Sequence, residues 1–361
     1  MLRRRIKAGI SAALYGTGAD KVIGRLVGIR NIPLVICYHR VVEDVAASGQ
    51  SSDAPMLISR RMLERHLDWV GLRFRLVSLE ELGLRVESQG TFDRPVAAVT
   101  FDDGYSDVYT YAFPLLKRKG IPAAVFVVTD LTGTSNLHTH DKLYLLLAGA
   151  FSKWQSPARP LADLLCNAGM TLPDIQKASQ WVTSPSMAMR WLVRALPQTA
   201  IRRVIEALEA EVRVDEGAVK DLRPLSWEMV SEMHRAGVTI GSHTRSHALL
   251  TKESLETVVD ETAGSRALLE RKLGVAVRHF AYPDGRFSST IVAAVAAAGY
   301  RFAYTTCQHR DPVQPLLTLP RKVLWENSCL DALGHFSPAI MSCQVNGLFD
   351  FVAGCRQDHS A

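Results

Sequence analysis

The chain has 361 residues, 47% of them hydrophobic and 22% charged, enough for a large folded core and inconsistent with a disordered chain. Its formal net charge is +6, and Arg3, Arg4, Arg5, Lys7, Lys21, Arg25 and Arg30 all fall within the first thirty residues. That is a local basic terminus, not a basic groove, so nucleic acid is not expected as a partner.

Along residues 2–28, Ile6, Ile10, Leu14, Val22, Ile23, Leu26 and Val27 recur at roughly helical spacing, interrupted by Gly16 and Gly18. Two readings stand: a helix packed on the domain, or a basic amphipathic helix resting peripherally on an anionic membrane. No apolar run reaches the roughly 18 residues of a membrane span. Ile10–Leu14 is too short for the apolar centre of a secretory signal. Cys37, Cys166, Cys307, Cys329, Cys343 and Cys355 show no CxxC and no close pairing, which suits a reducing compartment. A cytoplasmic protein is expected, held if at all to the inner face of a membrane.

From Ile32 onward, short apolar runs alternate with helical patterns. Strands are expected at Pro33–Cys37, Val96–Phe101, Ala123–Thr129, Val238–Gly241, His279–Tyr282, Arg301–Thr305 and Leu316–Pro320. Most are continuously apolar, as in a parallel sheet covered on both faces or closed into a barrel. Ser59, Ser78 (with Glu81 completing a capping box) and Ser226 mark helix starts. Residues 251–273 read as one long helix, and Ser288–Ala298 as another closed by Gly299. The alternation predicts an α/β architecture, barrel or doubly wound. Residues 133–222 lack a strand pattern and are too long for a crossover, so they read as a helical insertion that covers the site or recruits substrate. The expected organisation is a basic segment over 1–30, a catalytic domain over 31–330 and a tail over 331–361.

Chemistry concentrates at three strand ends. Thr100-Phe101-Asp102-Asp103-Gly104-Tyr105 follows an apolar strand, and two ionised carboxylates are too costly to bury there for packing alone. Gly241-Ser242-His243-Thr244-Arg245-Ser246-His247 follows another, with imidazoles four residues apart that can face one point. Together they supply an Asp-His-His set with an open position, suited to a divalent metal, zinc by default. Phe280-Ala281-Tyr282-Pro283-Asp284-Gly285 forms a tight loop able to aim backbone N–H groups at an oxyanion. His138 and His140, inside the insertion, imitate a metal pair but read as a solvated loop. His279 is read as facing away from the rim, His309 as lying in a polar turn, and Trp154, Trp181, Trp191, Trp227 and Trp325 as packing residues.

The order TFDDG, HTxxH, FAYPxG resembles the NodB-type polysaccharide deacetylases of carbohydrate esterase family four, in the branch that includes biofilm-polysaccharide N-deacetylases. The likeness covers roughly 32–130 and 223–325 and implies a distorted β/α barrel of about seven strands. It implies Asp102 as general base, with Asp103, His243 and His247 as metal ligands. Water activated by Asp102 would attack an acetamide carbonyl, with Tyr282 and a backbone N–H near Asp284 on the oxyanion and substrate side. Two departures stand out. Ala281 replaces the arginine common in the third motif, and Leu317-Thr318-Leu319-Pro320-Arg321 lacks the late histidine that many members use as general acid. His39 in Ile36-Cys37-Tyr38-His39-Arg40 is the replacement acid that the biofilm branch suggests, and Arg321 the replacement positive charge. The expected substrate is an N-acetylated amino sugar in a glycan or glycolipid precursor. The rivals are a metal amidohydrolase acting on a non-sugar amide and a catalytically silent glycan-binding relative.

Overall fold

The computed structural model describes residues 2–26, 33–45, 57–167, 169, 183–214, 219, 222–350 and 359; Val27, Arg30, Trp181 and Cys355 lie outside them. The strands are β1 Leu34–Tyr38, β2 Arg40–Val42, β3 Leu57–Ser59, β4 Arg75–Leu76, β5 Val96–Phe101, β6 Ala123–Val127, β7 Thr239–Ser242, β8 His279–Ala281, β9 Phe302–Thr305, β10 Leu319–Pro320 and β11 Lys322–Val323. Nine of them form one sheet in the order β10-β9-β8-β7-β6-β5-β1-β11, with β4 beside the start of β5, and every pair in it is parallel. β10 and β11 are consecutive in the chain, separated only by Arg321, yet stand at opposite ends of that order. A single segment thus runs from β9 across to β1 and brings the two edges of the sheet together into a barrel. The expected seven strands become nine because β4 and β11 are two-residue pairings containing Arg75 and Lys322, too short and polar to read as apolar runs.

Side chains alternate across the barrel wall. Ile36, Tyr38, Val99, Phe101, Val125 and Val127 join the outer core beneath the helices. Val35, Ala98, Ala124, Phe126, Phe302, Tyr304 and Leu319 form the inner cluster, plugged by Val77, Leu79 and Leu82. Continuing this inner parity toward the carboxyl ends of the strands gives His39, Asp102, His243 and Arg321. The barrel is apolar below and polar at its rim by simple alternation.

The helices begin where capping side chains dictate: Ser59, Ser78 and Ser226 each accept from a backbone N–H three residues on. Two expected helices are broken. The N-terminal one divides into Leu2–Thr17 and Ala19–Leu26 at Gly18, whose φ of 72° is left-handed. The segment 251–273 divides into a 3₁₀ turn at Leu250–Lys252, a helix at Leu255–Val259, a π turn at Asp260–Gly264 and a helix at Ser265–Leu273. Between β6 and β7 stand helices Thr139–Lys153, Ala158–Asn167, Pro185–Ala195 and Gln198–Glu211. They enclose a separate core of Leu143, Leu146, Leu147, Leu161, Leu165, Leu192, Val204 and Leu208. Among the described residues, no helix is long and apolar enough to cross a membrane.

Candidate active site

Asp103, His243 and His247 converge at the rim. Asp103 Oδ1 stands 3.4 Å from His243 Nε2 and 3.2 Å from His247 Nε2. Their donor atoms all lie within 4.8 Å of one another. Both oxygens of Asp103 are buried without a hydrogen bond, a costly state for a carboxylate unless a cation satisfies it. His243 donates from Nδ1 to the Ala281 carbonyl at 2.8 Å, the tautomer that leaves its Nε2 lone pair on the Asp103 side. This donor set fits a divalent metal with an open position. Burial raises the Asp103 carboxyl, but the close imidazoles of His243 and His247 outweigh it and hold the group well below the usual range.

Asp102 lies beside this triad, gripped by Arg321 in a two-pronged bond: Nη1 to Oδ1 at 2.7 Å and Nη2 to Oδ2 at 2.6 Å. Burial opposes ionisation of Asp102, and the Arg321 charge more than offsets it, so the carboxyl sits below its ordinary range. Arg321 is buried and also donates to Thr100 Oγ1 at 3.2 Å. Its guanidinium is enclosed in the barrel, so the positive charge it brings goes to Asp102. The Cys37 thiol donates to Asp102 Oδ2 at 3.3 Å, and burial pushes it well up, away from thiolate. His39 completes a cluster with Cys37 and Asp102 whose polar atoms lie within 4.8 Å. Its Nδ1 is buried without a partner, and burial lowers the imidazole against the pull of Asp103 and Asp102.

Buried acids brace these loops. The π turn at 260–264 places Glu261 so that Oε2 accepts from Arg245 N at 2.8 Å and Ser246 N at 2.9 Å, while Oε1 accepts from Ser246 Oγ at 2.5 Å. A second π turn, Val108–Ala112, follows Asp107, which accepts from Arg40 Nε at 2.8 Å and Val41 N at 3.2 Å. Neither brace was apparent from the motifs, although Arg40 and Asp107 stand next to them in the chain.

Tyr282 departs from expectation. Its hydroxyl donates to Leu317 O at 2.9 Å and its ring packs on Phe280 and Phe287, so its side chain belongs to the core. What it offers the site is its place in the loop. Asp284 has a φ of 53° inside that loop, and its carboxylate is held by Arg194 through Nε and Nη2, both at 3.0 Å, and by Arg286 at 3.2 Å. His279 lies elsewhere, between Tyr304 and Glu80, and His309 stacks on Phe287.

The largest correction concerns His138 and His140, which are not in a solvated loop. His138 is fully buried, with neither ring nitrogen bonded. His140 stands beside His247, ring centroids 5.1 Å apart, with Nε2 2.9 Å from Tyr105 Oη. The Tyr105 hydroxyl donates to Asp141 Oδ2 at 2.6 Å. Burial pushes Asp141 up to about 7 and lowers His140 to about 3. The helix Thr139–Lys153 starts at the barrel rim, which no local pattern around His138 discloses.

A parallel barrel with acids and imidazoles gathered on its carboxyl rim is an α/β fold carrying a candidate catalytic site. The polysaccharide deacetylase profile matches residues 89–303, more than half of the chain, and the chain belongs to that family. Two poly-beta-1,6-N-acetyl-D-glucosamine N-deacetylases are similar in sequence. That of Staphylococcus epidermidis is 26% identical over 117 residues, covering 30% of this chain and 40% of the relative. That of Staphylococcus aureus is 29% identical over 121 residues, covering 31% and 41%. The similarity thus spans about two fifths of the length of these relatives. Among solved structures, the Streptococcus pyogenes deacetylase PplD in complex with acetate has a TM-score of 0.54 at 18% identity, covering 86% of this chain and 96% of its own. IcaB from Ammonifex degensii has a TM-score of 0.51 at 20% identity, covering 87% and 96%. At these identities the likeness is one of fold.

Proposed function

We propose that the chain is a metal-dependent N-deacetylase that hydrolyses the acetamide of an amino sugar in a glycan or glycolipid precursor, releasing acetate and a free amine. The observation that carries this is the unbonded, buried Asp103 carboxylate, its Oδ1 facing His243 and His247, beside a carboxylate that Arg321 keeps ionised. A divalent cation, zinc by the mixed nitrogen and oxygen donors, would supply Lewis acidity to polarise the amide carbonyl. Asp102 takes the proton from the attacking water, and Arg321 orients its two oxygens for that task. His39, through its unbonded Nδ1, hands a proton to the departing amine. A backbone N–H near Asp284 faces the developing oxyanion. Membership of the polysaccharide deacetylase family and sequence likeness to two poly-N-acetylglucosamine deacetylases support a sugar substrate.

Place is part of the same reading: the N-terminal helices rest on the inner face of a membrane. In the first helix Ile6 and Ile10 are exposed beside Arg4 and Arg5, a surface suited to anionic lipid.

The test is acetate release from a panel of N-acetylhexosamine oligomers and lipid-linked sugars, with and without chelator. Release that chelator abolishes and zinc restores is expected. Release from small non-sugar amides alone, or release indifferent to chelator, overturns the reading.

A further inference from the structure

The helices between β6 and β7 are fastened to all three loops of the site. Arg194 holds Asp284 of the third motif. Gln198 Nε2 donates to the Ser246 carbonyl of the second at 3.1 Å and to Thr139 Oγ1 at 2.9 Å. Tyr105, next after the first motif, is joined to Asp141 and His140. The fastening brings polar side chains to the metal-ligand cluster that packing does not need. His138, with both nitrogens unbonded, lies 5.3 Å from the His140 ring and 6.2 Å from the His247 ring by centroid. Enclosing unpaired nitrogens is destabilising, and phenylalanine would fill the space without that cost.

The hydrogen-bond directions at His140 are determined by chemistry. With Asp141 ionised, above about pH 7, the single proton of the Tyr105 hydroxyl goes to its carboxylate at 2.6 Å. At 2.9 Å from His140 Nε2, the Tyr105 oxygen can then only accept, so Nε2 carries the imidazole proton. In a neutral imidazole with its proton on Nε2, Nδ1 keeps its lone pair. His140 is not one of the groups whose donor atoms converge for a cation; those are Asp103, His243 and His247, and Cys37, His39 and Asp102. Its ring nevertheless stands against His247, and its side chain retains 12% exposure.

We propose that His140 is a substrate-contacting residue that accepts, at Nδ1, a hydrogen bond from a hydroxyl or N–H of the amino sugar, with Tyr105 and Asp141 as positioning residues. This rests on the amino-sugar reading above. The helical segment then takes part in recognition, and the hydroxyl–carboxylate pair behind His140 keeps the acceptor in place before substrate arrives.

The test uses the full, metal-loaded chain as wild type, His140→Ala and Tyr105→Phe. It combines KM and kcat on an N-acetylglucosamine tetramer, calorimetric binding of the deacetylated glucosamine tetramer, and metal per chain. Loss of one neutral hydrogen bond predicts KM and Kd raised about 3- to 10-fold in both variants, with kcat within about twofold. Metal content stays at the wild-type value. Unchanged KM and Kd in both variants overturn the proposal, as does loss of metal from His140→Ala, which would make it a ligand. Tyr105→Phe keeps the ring in place, so the proposal is still tested if His140→Ala fails to fold. If wild-type protein neither binds nor cleaves a tetramer, the amino-sugar reading falls and this one with it; if only the variants match wild type, this one falls alone.

Discussion

Backbone strain collects where the chemistry is. Among the described residues, five that are not glycine have positive φ, and four of them, Asp103, Thr244, His247 and Asp284, lie in the motif loops. Such conformations cost of order 1–3 kcal/mol each and persist where the surroundings enforce them. In the second and third motif loops Glu261 and Arg194 do the enforcing. At the same scale, Asp102→Asn removes the proton acceptor and is expected to lower acetate release by about 10²–10⁴ while metal content is unchanged. Metal lost together with activity would refute the separation of base from ligand. Arg321→Met is expected to act on stability as well, because it leaves Asp102 buried and uncompensated; a loss of about 3–5 kcal/mol in denaturant unfolding follows.

His66 supplies a pH prediction away from the site. It is buried against Tyr38 and Phe336, and burial holds its pKa down to about 3 from 6.5. Below pH 6.5 the unfolded chain takes up a proton that the folded chain refuses until about pH 3, so this group withdraws stability progressively as pH falls through that window. His66→Phe should flatten the decline in urea midpoint between pH 7 and pH 5 relative to wild type. Parallel declines in the two proteins would show that His66 contributes nothing to it.

Glycines at positive φ fall into two kinds. At Gly285, φ +67°, a Cβ would lie 2.1 Å from Thr306 Oγ1 and 2.5 Å from Thr306 N, the latter backbone that cannot yield. At Gly274, φ +71°, a Cβ meets nothing within 4 Å. Gly274→Ala is therefore expected to cost about 1 kcal/mol, the left-handed conformation alone. Gly285→Ala should cost clearly more and distort the loop carrying Asp284. Thermal midpoints of the two variants check this, and equal shifts would contradict it. Ser59, Ser78 and Ser226 announced their helix starts because capping is local. The π turn at 260–264 was not legible, since it exists to deliver Glu261 to a loop 15 residues earlier, and apolar spacing records only the core-facing stripe.

Among the described residues the barrel and its covering helices are one packing unit, holding the outer and inner clusters, and the helices of 139–211 enclose a second core of mainly leucine. Leu192→Ala, at a fully buried position in the second, should destabilise by about 2–5 kcal/mol. Faster amide exchange confined to 139–211, with the sheet still protected, is the expected pattern; uniform acceleration would mean that the two cores unfold as one. The barrel strands, the three motifs and the family were legible in the sequence because each is written in contiguous residues: an apolar run, then polar side chains at its carboxyl end. The inner parity of each strand carries the same information, placing Asp102 two residues beyond Thr100 and His243 two beyond Gly241. Only the tertiary structure decided that Arg321 would grip Asp102, because that contact exists through closure of the sheet between β9 and β1. It likewise decided that His138 and His140 stand beside His247 and not in water, because burial depends on where a helix start is docked and leaves no periodic trace around the two histidines.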